Sequence, residues 1–345
     1  MRAVTIHGPR DIRVEDRPDP ELQEATDAVV RVRVACVCGS DLWTYRGVRS
    51  RPAGSPMGHE LVGVVEQVGS AVTRVRPGRL VIAPFDLSCG TCQECRAGMP
   101  SACRNGMFWA SRGLDGAQGE AVRVPLADRN LVPVPEGTDD ALLPDLLTLA
   151  DVLCTGYHAA VSAGVGPDTR VVVIGDGAVG LSAVLSARLL GAPRIIAMSR
   201  HQDRADLARA FGATDVLAER GEAAPPALRD LLGGERVEAA LECVGTQESM
   251  DEAIDLVRGG GRVGFVGVPA GGSRISVGRL FDTNVTVGGG MAPVLTYLPD
   301  LLPHVLSGRI HPGRVFTQSF PLERAAEAYA AMDQRRAIKS LLVVS

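Results

Sequence analysis

Four cysteines in the N-terminal third of the chain have the spacing of a metal site. They form the pattern C-x2-C-x2-C-x7-C on one stretch of sequence and are Cys89, Cys92, Cys95 and Cys103. Four thiolates can surround one tetrahedral Zn²⁺, and two intervening residues let the backbone turn and return the next sulfur to the same centre. The pattern therefore predicts a structural zinc site. Reduced cysteines without a metal, two disulfides of a secreted protein, or an iron–sulfur cluster are the alternatives.

A glycine-rich turn carries the second chemical signature. Residues 170–175 have the pattern of an apolar strand, residues 175–180 read G-x-G-x-x-G, and a helical pattern follows. In this context the first glycine permits a tight turn, the second lets the backbone approach a pyrophosphate, and the third lets the helix pack closely on the strand. Free N–H groups at the helix start can hold the anion. The pattern predicts a dinucleotide site, with a ligand-free turn as the alternative; its residues are Gly175, Gly177, Ala178, Val179 and Gly180.

Three further candidate ligands are scattered along the chain. Cys38 lies in Cys38-Gly-Ser-Asp41, His59 lies in Gly58-His-Glu60, and Asp151 begins Asp151-Val-Leu-Cys154. Taken singly, they are ordinarily a buried thiol, a core histidine and a helix N-cap. Their combination with the cysteine loop and the glycine turn favours a second metal site.

The sequence pattern that predicts the strands and helices around these residues changes near residue 150. Up to about residue 134, short alternating runs broken by Gly and Pro predict an antiparallel, barrel-like β region. From residue 170, apolar strands alternate with helical patterns, which predicts parallel βαβ units and a doubly wound sheet of about six strands. We therefore expect an α/β fold, with a catalytic domain of residues 1–150 and 293–345 and a dinucleotide-binding domain of residues 151–292.

Composition excludes several classes of function. The 345 residues are 46% hydrophobic, enough for two packed domains. The net charge of -4, with no long block of like charges, argues against a nucleic-acid or membrane-surface partner. The N-terminus shows no apolar signal segment, and the longest apolar stretch, residues 181–192, contains Arg188 and is too short to span a bilayer. We expect a cytoplasmic protein with reduced cysteines.

Five motifs in order over nearly the whole chain make it similar to the zinc-dependent medium-chain alcohol dehydrogenases. The resemblance implies a GroES-like β-barrel catalytic domain, a Rossmann domain, and one catalytic and one structural zinc per chain. It also implies that Cys38, His59 and Asp151 bind the catalytic zinc and leave one position for water or the substrate oxygen. Aspartate stands where the best-known members have cysteine, as in some bacterial relatives, and Cys154 is a fallback ligand.

Other roles follow from the same resemblance. Glu60 resembles a carboxylate that approaches the zinc during ligand exchange, and Asp41 resembles the partner that orients the imidazole of the histidine ligand. Ser40 resembles the hydroxyl that accepts the alcohol proton, but Trp43 replaces the histidine that ends this relay in the family. Trp43 and Phe85 are expected to line the substrate pocket, and Thr155 and Val268 to hold the nicotinamide. Lys339 stands where the family has a cation on the pyrophosphate. Core packing is the alternative for Phe85, Thr155 and Val268, and a salt bridge to a surface carboxylate is the alternative for Lys339.

The end of the second Rossmann strand indicates the cofactor. Residues 195–198 are followed by Ser199-Arg200-His201, with no carboxylate to repel a 2′-phosphate. Ser199 and Arg200 can bind that phosphate, and Arg204 can add charge, so we expect NADP, with NAD as the alternative.

The implied function is reversible hydride transfer between an alcohol and NAD(P), which gives an aldehyde or ketone, since zinc lowers the pKa of a bound alcohol. A zinc-free quinone or enoyl reductase and a non-catalytic cofactor-binding structural protein are the alternative hypotheses. The resemblance also implies a homodimer or homotetramer.

Overall fold

The computed structural model describes residues 1–111, 113–269 and 271–344. The chain divides into two compact units, Met1–Asp151 with Pro293–Ser345 and Val152–Ala292. The β-strands are β1 (Arg2–Gly8), β2 (Asp11–Asp16), β3 (Ala28–Val37), β4 (Ser55–Pro56), β5 (Leu61–Val68), β6 (Leu80–Ala83), β7 (Asp86–Leu87), β8 (Met107–Phe108), β9 (Ala121–Val124), β10 (Val132–Pro133), β11 (Arg170–Ile174), β12 (Arg194–Met198), β13 (Asp215–Leu217), β14 (Val237–Glu242), β15 (Val257–Phe265), β16 (Thr286–Gly289), β17 (Phe316–Pro321) and β18 (Lys339–Val343). The α-helices are α1 (Asp41–Tyr45), α2 (Gln93–Arg96), α3 (Ala127–Asn130), α4 (Leu143–Thr148), α5 (Val152–Ser162), α6 (Ala178–Leu189), α7 (Gln202–Phe211), α8 (Ala224–Leu231), α9 (Gln247–Leu256), α10 (Val277–Thr283), α11 (Val294–Leu306) and α12 (Ala325–Asp333).

The first unit is built on a seven-stranded sheet with the order β10-β6-β5-β3-β18-β17, in which β9 also pairs with β3. Pairing is antiparallel apart from the parallel pair β17 and β18. The long strand β3 is buried over most of its length because β5, β9 and β18 lie against it. Since β18 pairs with β3, placing Leu342 opposite Ala35, the C-terminal segment completes the sheet that the N-terminal segment begins.

The second unit contains a parallel six-stranded sheet with the order β13-β12-β11-β14-β15-β16. The chain winds outward from β11 in both directions, which makes the doubly wound fold that the alternating pattern predicts. Helices α5 and α6 approach closely at Gly156, where an added Cβ would lie 2.4 Å from the backbone nitrogen of Ala183. The sequence pattern did not indicate a strand at the position of the edge strand β13, because this strand is only 3 residues long and partly buried.

Each unit has its own apolar core. Valines such as Val30 and Val65 pack with Tyr329 in the first unit, and Val172, Ile196 and other strand residues pack in the second. Among the helices of the described residues, none combines the length and apolar character needed to cross a membrane.

Candidate metal centres and nucleotide-binding turn

The four cysteines of the loop meet at one point. Cys103 Sγ lies 3.5 Å from Cys89 Sγ and 3.7 Å from Cys92 Sγ, and all four sulfurs lie within 4.8 Å of one another. Disulfide sulfurs are about 2.0 Å apart, so these are free thiols. The separations fit the edge of about 3.8 Å in a tetrahedron whose metal–sulfur bonds are about 2.3 Å. The residues therefore fit a structural zinc ion.

The charge state of the loop also fits a cation. The backbone N–H of Thr91 chiefly, with the Thr91 hydroxyl and the N–H of Cys92, lowers the pKa of Cys89 to about 5. Burial and hydrogen bonds with neighbouring thiols raise the pKa of Cys95 to about 12. Because the fourfold thiolate state is unfavourable without a counter-charge, a bound divalent cation is what would ionise the complete set.

A second set of ligand atoms comes from three separate segments of the first unit. Cys38 follows β3, His59 and Glu60 precede β5, and Asp151 precedes α5. Oδ2 of Asp151 lies 3.7 Å from Cys38 Sγ and 3.5 Å from His59 Nε2, and Nε2 lies 3.9 Å from Glu60 Oε1. These separations and the thiolate, imidazole and carboxylate donors fit Zn²⁺. Cys154, the fallback ligand, is fully buried on α5.

The imidazole of His59 is held by an acidic partner on its far side. Asp41 Oδ1 lies 3.4 Å from His59 Nδ1, and Asp41 Oδ2 accepts a hydrogen bond from the Cys38 N–H at 3.0 Å. Burial alone would lower the pKa of His59, but the charges of Asp41 and Cys38 and the hydrogen bond with Asp151 outweigh it and raise the pKa well above its ordinary value. With Nδ1 facing Asp41, Nε2 is the atom left to bind a metal.

Glu60 and Lys339 form a buried ion pair beside these candidate ligands. Lys339 Nζ lies 2.7 Å from Glu60 Oε1 and donates a second hydrogen bond to the Val37 carbonyl at 3.3 Å. Burial raises the pKa of Glu60, and the Lys339 ammonium opposes that rise. Among the described residues, Glu60 Oε2 has no hydrogen-bond partner, so this oxygen is available to an ion. The resemblance placed Lys339 on a pyrophosphate, or alternatively on a surface carboxylate. In the structure its ammonium group contacts the buried carboxylate of Glu60 instead.

The sequence analysis did not predict a buried series of hydrogen bonds that leads to Asp41. The Tyr329 hydroxyl donates to Gln118 Oε1 at 2.9 Å, and Gln118 Nε2 lies 2.8 Å from the Cys36 carbonyl and 3.4 Å from Asp41 Oδ2. Gly58, with a φ of +88°, packs so closely on Gln118 that an added Cβ would lie 2.4 Å from its side chain. No local pattern marks Gln118, because its partners are distant in sequence.

The side chains expected to line a substrate pocket are partly exposed. Ser40 and Trp43 lie at the start of α1, directly after Cys38, and Phe85 lies between β6 and β7. The Phe85 N–H donates a hydrogen bond to the carbonyl of Ala150, next to the candidate ligand Asp151. These three residues therefore adjoin segments of the first unit that carry candidate metal ligands. The adjacent Asp86 is buried, and burial raises its pKa to about 7.

The glycine turn of the second unit has room for an anion. Gly175 has a φ of +111°, and an added Cβ on Gly180 would lie 1.8 Å from the Gly175 carbonyl oxygen. Around a Cβ added to Gly177, by contrast, no atom of the described residues other than Gly177 and its two chain neighbours lies within 4 Å. Helix α6 begins at Ala178 and Val179 without a side-chain cap, so its first N–H groups are available to a pyrophosphate. The turn fits a dinucleotide. Of the expected nicotinamide contacts, Thr155 is partly exposed on α5 and Val268 is exposed after β15.

Comparison with known proteins identifies the family. The model of the alcohol dehydrogenase GroES-like domain matches residues 24–136, and that of the zinc-binding dehydrogenase matches residues 178–305. A zinc-type alcohol dehydrogenase B of Aspergillus flavus is 34% identical over 336 residues, which cover 95% of this chain and 78% of the relative. The chain belongs to the zinc-dependent medium-chain alcohol dehydrogenase family. It is therefore an NAD(P)-dependent oxidoreductase.

Other relatives agree over almost the full length. A probable zinc-binding alcohol dehydrogenase of Mycobacterium tuberculosis is 37% identical over 97% of this chain and 86% of its own. The structure of the alcohol dehydrogenase TADH from Thermus sp. ATN1 superposes with a TM-score of 0.93 at 35% identity and covers both chains completely. These matches confirm the GroES-like and Rossmann domains.

Two of the side chains that the sequence analysis expects at the adenosine end of the nucleotide site contact a nearby carboxylate. Ser199 is buried and its hydroxyl donates to Asp176 Oδ2 at 2.7 Å, while Arg204 Nη1 lies 3.2 Å from Asp176 Oδ1. Arg200 is exposed. Two of the three donors expected for a 2′-phosphate thus contact a carboxylate of the protein itself.

Proposed function

We propose that this chain is a zinc-dependent alcohol dehydrogenase that reversibly transfers a hydride between an alcohol and NADP, giving an aldehyde or ketone. The observation that carries the proposal is the meeting of Cys38 Sγ, His59 Nε2 and an Asp151 carboxylate oxygen within 4.8 Å. When bound, zinc supplies Lewis-acid polarisation of the substrate oxygen, and the nicotinamide supplies the hydride acceptor or donor.

The chain's own residues have distinct roles in this proposal. Cys38, His59 and Asp151 hold the catalytic ion, while the cysteine loop holds the structural one. Asp41 fixes the orientation of the imidazole through Nδ1. Ser40, partly exposed next to Cys38, accepts the proton of the alcohol. Trp43 and Phe85 exclude water from the pocket and shape it.

NADP is the proposed cofactor because the end of β12 carries hydrogen-bond donors and positive charge. Ser199, Arg200 and Arg204 lie where an acidic residue would favour the ribose hydroxyls of NAD. A planar guanidinium binds phosphate oxygens with strong charge-assisted hydrogen bonds. The free thiols also support the expected cytoplasmic location.

A panel of alcohols, aldehydes and ketones, assayed by the absorbance of the reduced nicotinamide with NADP and NAD, tests this function. We expect turnover that stops when zinc is removed and returns when it is restored. Asp151→Asn should abolish turnover because an amide is a poorer zinc ligand, whereas Asp140→Asn, at an exposed site, should not. Full activity of Asp151→Asn, or of the zinc-free protein, would instead support the quinone or enoyl reductase hypothesis.

We also infer that the chain forms a homodimer or homotetramer through its second unit. Strand β16 lies at the edge of the parallel sheet, and Val277 and Phe281 on the preceding helix are 78% and 83% exposed. An unpaired sheet edge beside exposed apolar side chains is a surface that a second copy can cover. Light scattering should give a dimer or tetramer that Phe281→Asp weakens and Val48→Asp, on the first unit, does not.

A further inference from the structure

Asp176 stands between the first two glycines of the nucleotide-binding turn, and its carboxylate reaches the end of β12. It accepts a hydrogen bond from Ser199 and pairs with Arg204, whose Nη1 also lies 3.2 Å from the Asp176 carbonyl oxygen. The Asp176 and Arg204 side chains are only 22% and 12% exposed. Because water screens this pair less than a surface pair, its charges interact more strongly than exposed ones do.

In this arrangement the Asp176 carboxylate and a bound 2′-phosphate would compete for the same hydrogen-bond donors. A 2′-phosphate held by Ser199 and Arg204 needs the same donor atoms that the carboxylate of Asp176 now uses. The Ser199 hydroxyl has one proton to donate, so it serves one acceptor at a time. Two anions close to one guanidinium also repel each other.

Positive charge remains at this end of the sheet after Arg204 is paired. Arg200 is exposed, and Arg220 follows β13 with its Nη1 donating to the carbonyls of Leu217 and Glu219. Burial lowers the pKa of Arg220, and the positive charge of Arg200 lowers it further. The negative charge of Asp176 raises it, so Arg220 interacts electrostatically with both Arg200 and Asp176. A phosphate can therefore be attracted to this edge even while Asp176 holds Arg204.

We propose that Asp176 is a specificity-determining residue that limits the preference of this enzyme for NADP over NAD. With a 2′-hydroxyl on the ribose, the carboxylate stays on Ser199 and Arg204; with a 2′-phosphate, it must yield these donors. Arg200 and Arg220 supply the charge that draws the phosphate in. The inference rests on the proposed function only in that both nucleotides bind at this turn.

The test measures binding rather than turnover. Calorimetric titration with NADPH and NADH gives the ratio of dissociation constants for the wild type and for Asp176→Asn, which keeps the side chain's shape and removes its charge. We expect Asp176→Asn to tighten NADPH binding about tenfold and to change NADH binding less than about threefold. The fragments 2′,5′-ADP and 5′-AMP should reproduce the difference without a nicotinamide.

Asp203→Asn is the matched control, because Asp203 lies on the exposed first turn of α7 beside Arg204 and carries the same charge. It should leave the ratio unchanged. Arg204→Gln is the second variant and should weaken NADPH binding, since Asp176 is then left without its cation. An unchanged ratio in Asp176→Asn, or an equal shift in Asp203→Asn, would overturn the inference. If the wild type binds neither nucleotide, the proposed function fails with it.

Discussion

Lys339 and Glu60 face each other at 2.7 Å with both side chains almost completely hidden from solvent. Lys339 is the one lysine of the chain and begins β18, whereas Glu60 directly follows His59. The pair therefore joins strand β18 to the segment that carries His59. It also neutralises one of several acidic groups crowded there.

Removing the cation alone should destabilise the protein strongly. In Lys339→Met the buried carboxylate of Glu60 loses its partner, which costs about 3–5 kcal/mol of unfolding free energy. The double variant Glu60→Gln with Lys339→Met removes both charges of the pair and should recover much of that loss. Urea unfolding measures both. Arg31→Met, which breaks an exposed pair with Glu66, is the control and should cost less than about 1 kcal/mol. Equal losses in the single and double variants would contradict this account.

The two ligand sets predict two zinc ions per chain with different consequences of loss. Cys92→Ser should lose one zinc and destabilise the fold, because a structural ion contributes folding free energy. Asp151→Ala should lose the other zinc and all turnover while remaining folded. Elemental analysis with thermal unfolding separates these outcomes. One zinc or none in the wild type would contradict the assignment. Activity of Asp151→Ala would instead favour Cys154 as the third ligand.

Sequence patterns predicted those features whose residues lie close together in the sequence. The cysteine loop and the glycine turn carry their ligands within a few residues, and the doubly wound sheet follows from regular apolar periodicity. The resemblance supplied the scattered set of Cys38, His59 and Asp151, which no spacing rule joins.

Long-range side-chain pairing could not be predicted in this way. Lys339 was placed by the resemblance on a pyrophosphate, but its partner Glu60 lies 279 positions away in the chain. Gln118 and Asp176 were not singled out, because a polar side chain's role depends on which distant group it faces after folding. The role of each of these residues is indicated only by its contacts in the folded structure.

Asp86 predicts a pH dependence of stability. Burial raises its pKa from 3.8 to about 7, so the folded protein keeps the proton over a range in which the unfolded chain has released it. Its contribution to stability therefore falls as pH rises from about 4 to about 7 and is constant above that, by about 4 kcal/mol in total. Asp86→Asn should remove this slope, so that between about pH 5 and pH 8 it gains roughly 3 kcal/mol relative to the wild type. Urea unfolding at the two pH values measures the gain. Glu136→Gln, at an exposed site, should show none.

Trp43 predicts that alcohol oxidation lacks the ionisation of a relay histidine. An imidazole at this position would impose a step near its ordinary pKa of about 6.5. The rate profile of the wild type should show no such step, and Trp43→His should add one. Ser40→Ala should slow proton removal more than it weakens cofactor binding. An imidazole-like step in the wild type, or an unchanged profile in Trp43→His, would argue against this assignment.

Gly177 and Gly180 should separate nucleotide binding from folding. An added methyl group on Gly180 would meet the Gly175 carbonyl oxygen at 1.8 Å, so Gly180→Ala must distort the turn and lower the melting temperature. In Gly177→Ala the methyl group meets nothing within 4 Å among the described residues beyond its chain neighbours, and the φ of -80° suits alanine. The protein should therefore fold with the wild-type melting temperature. The methyl group would nevertheless occupy the space that a pyrophosphate needs, and NADPH should bind at least about tenfold more weakly. Calorimetry and thermal unfolding of both variants make the comparison. Wild-type affinity in Gly177→Ala would show that the nucleotide does not approach the backbone at this glycine.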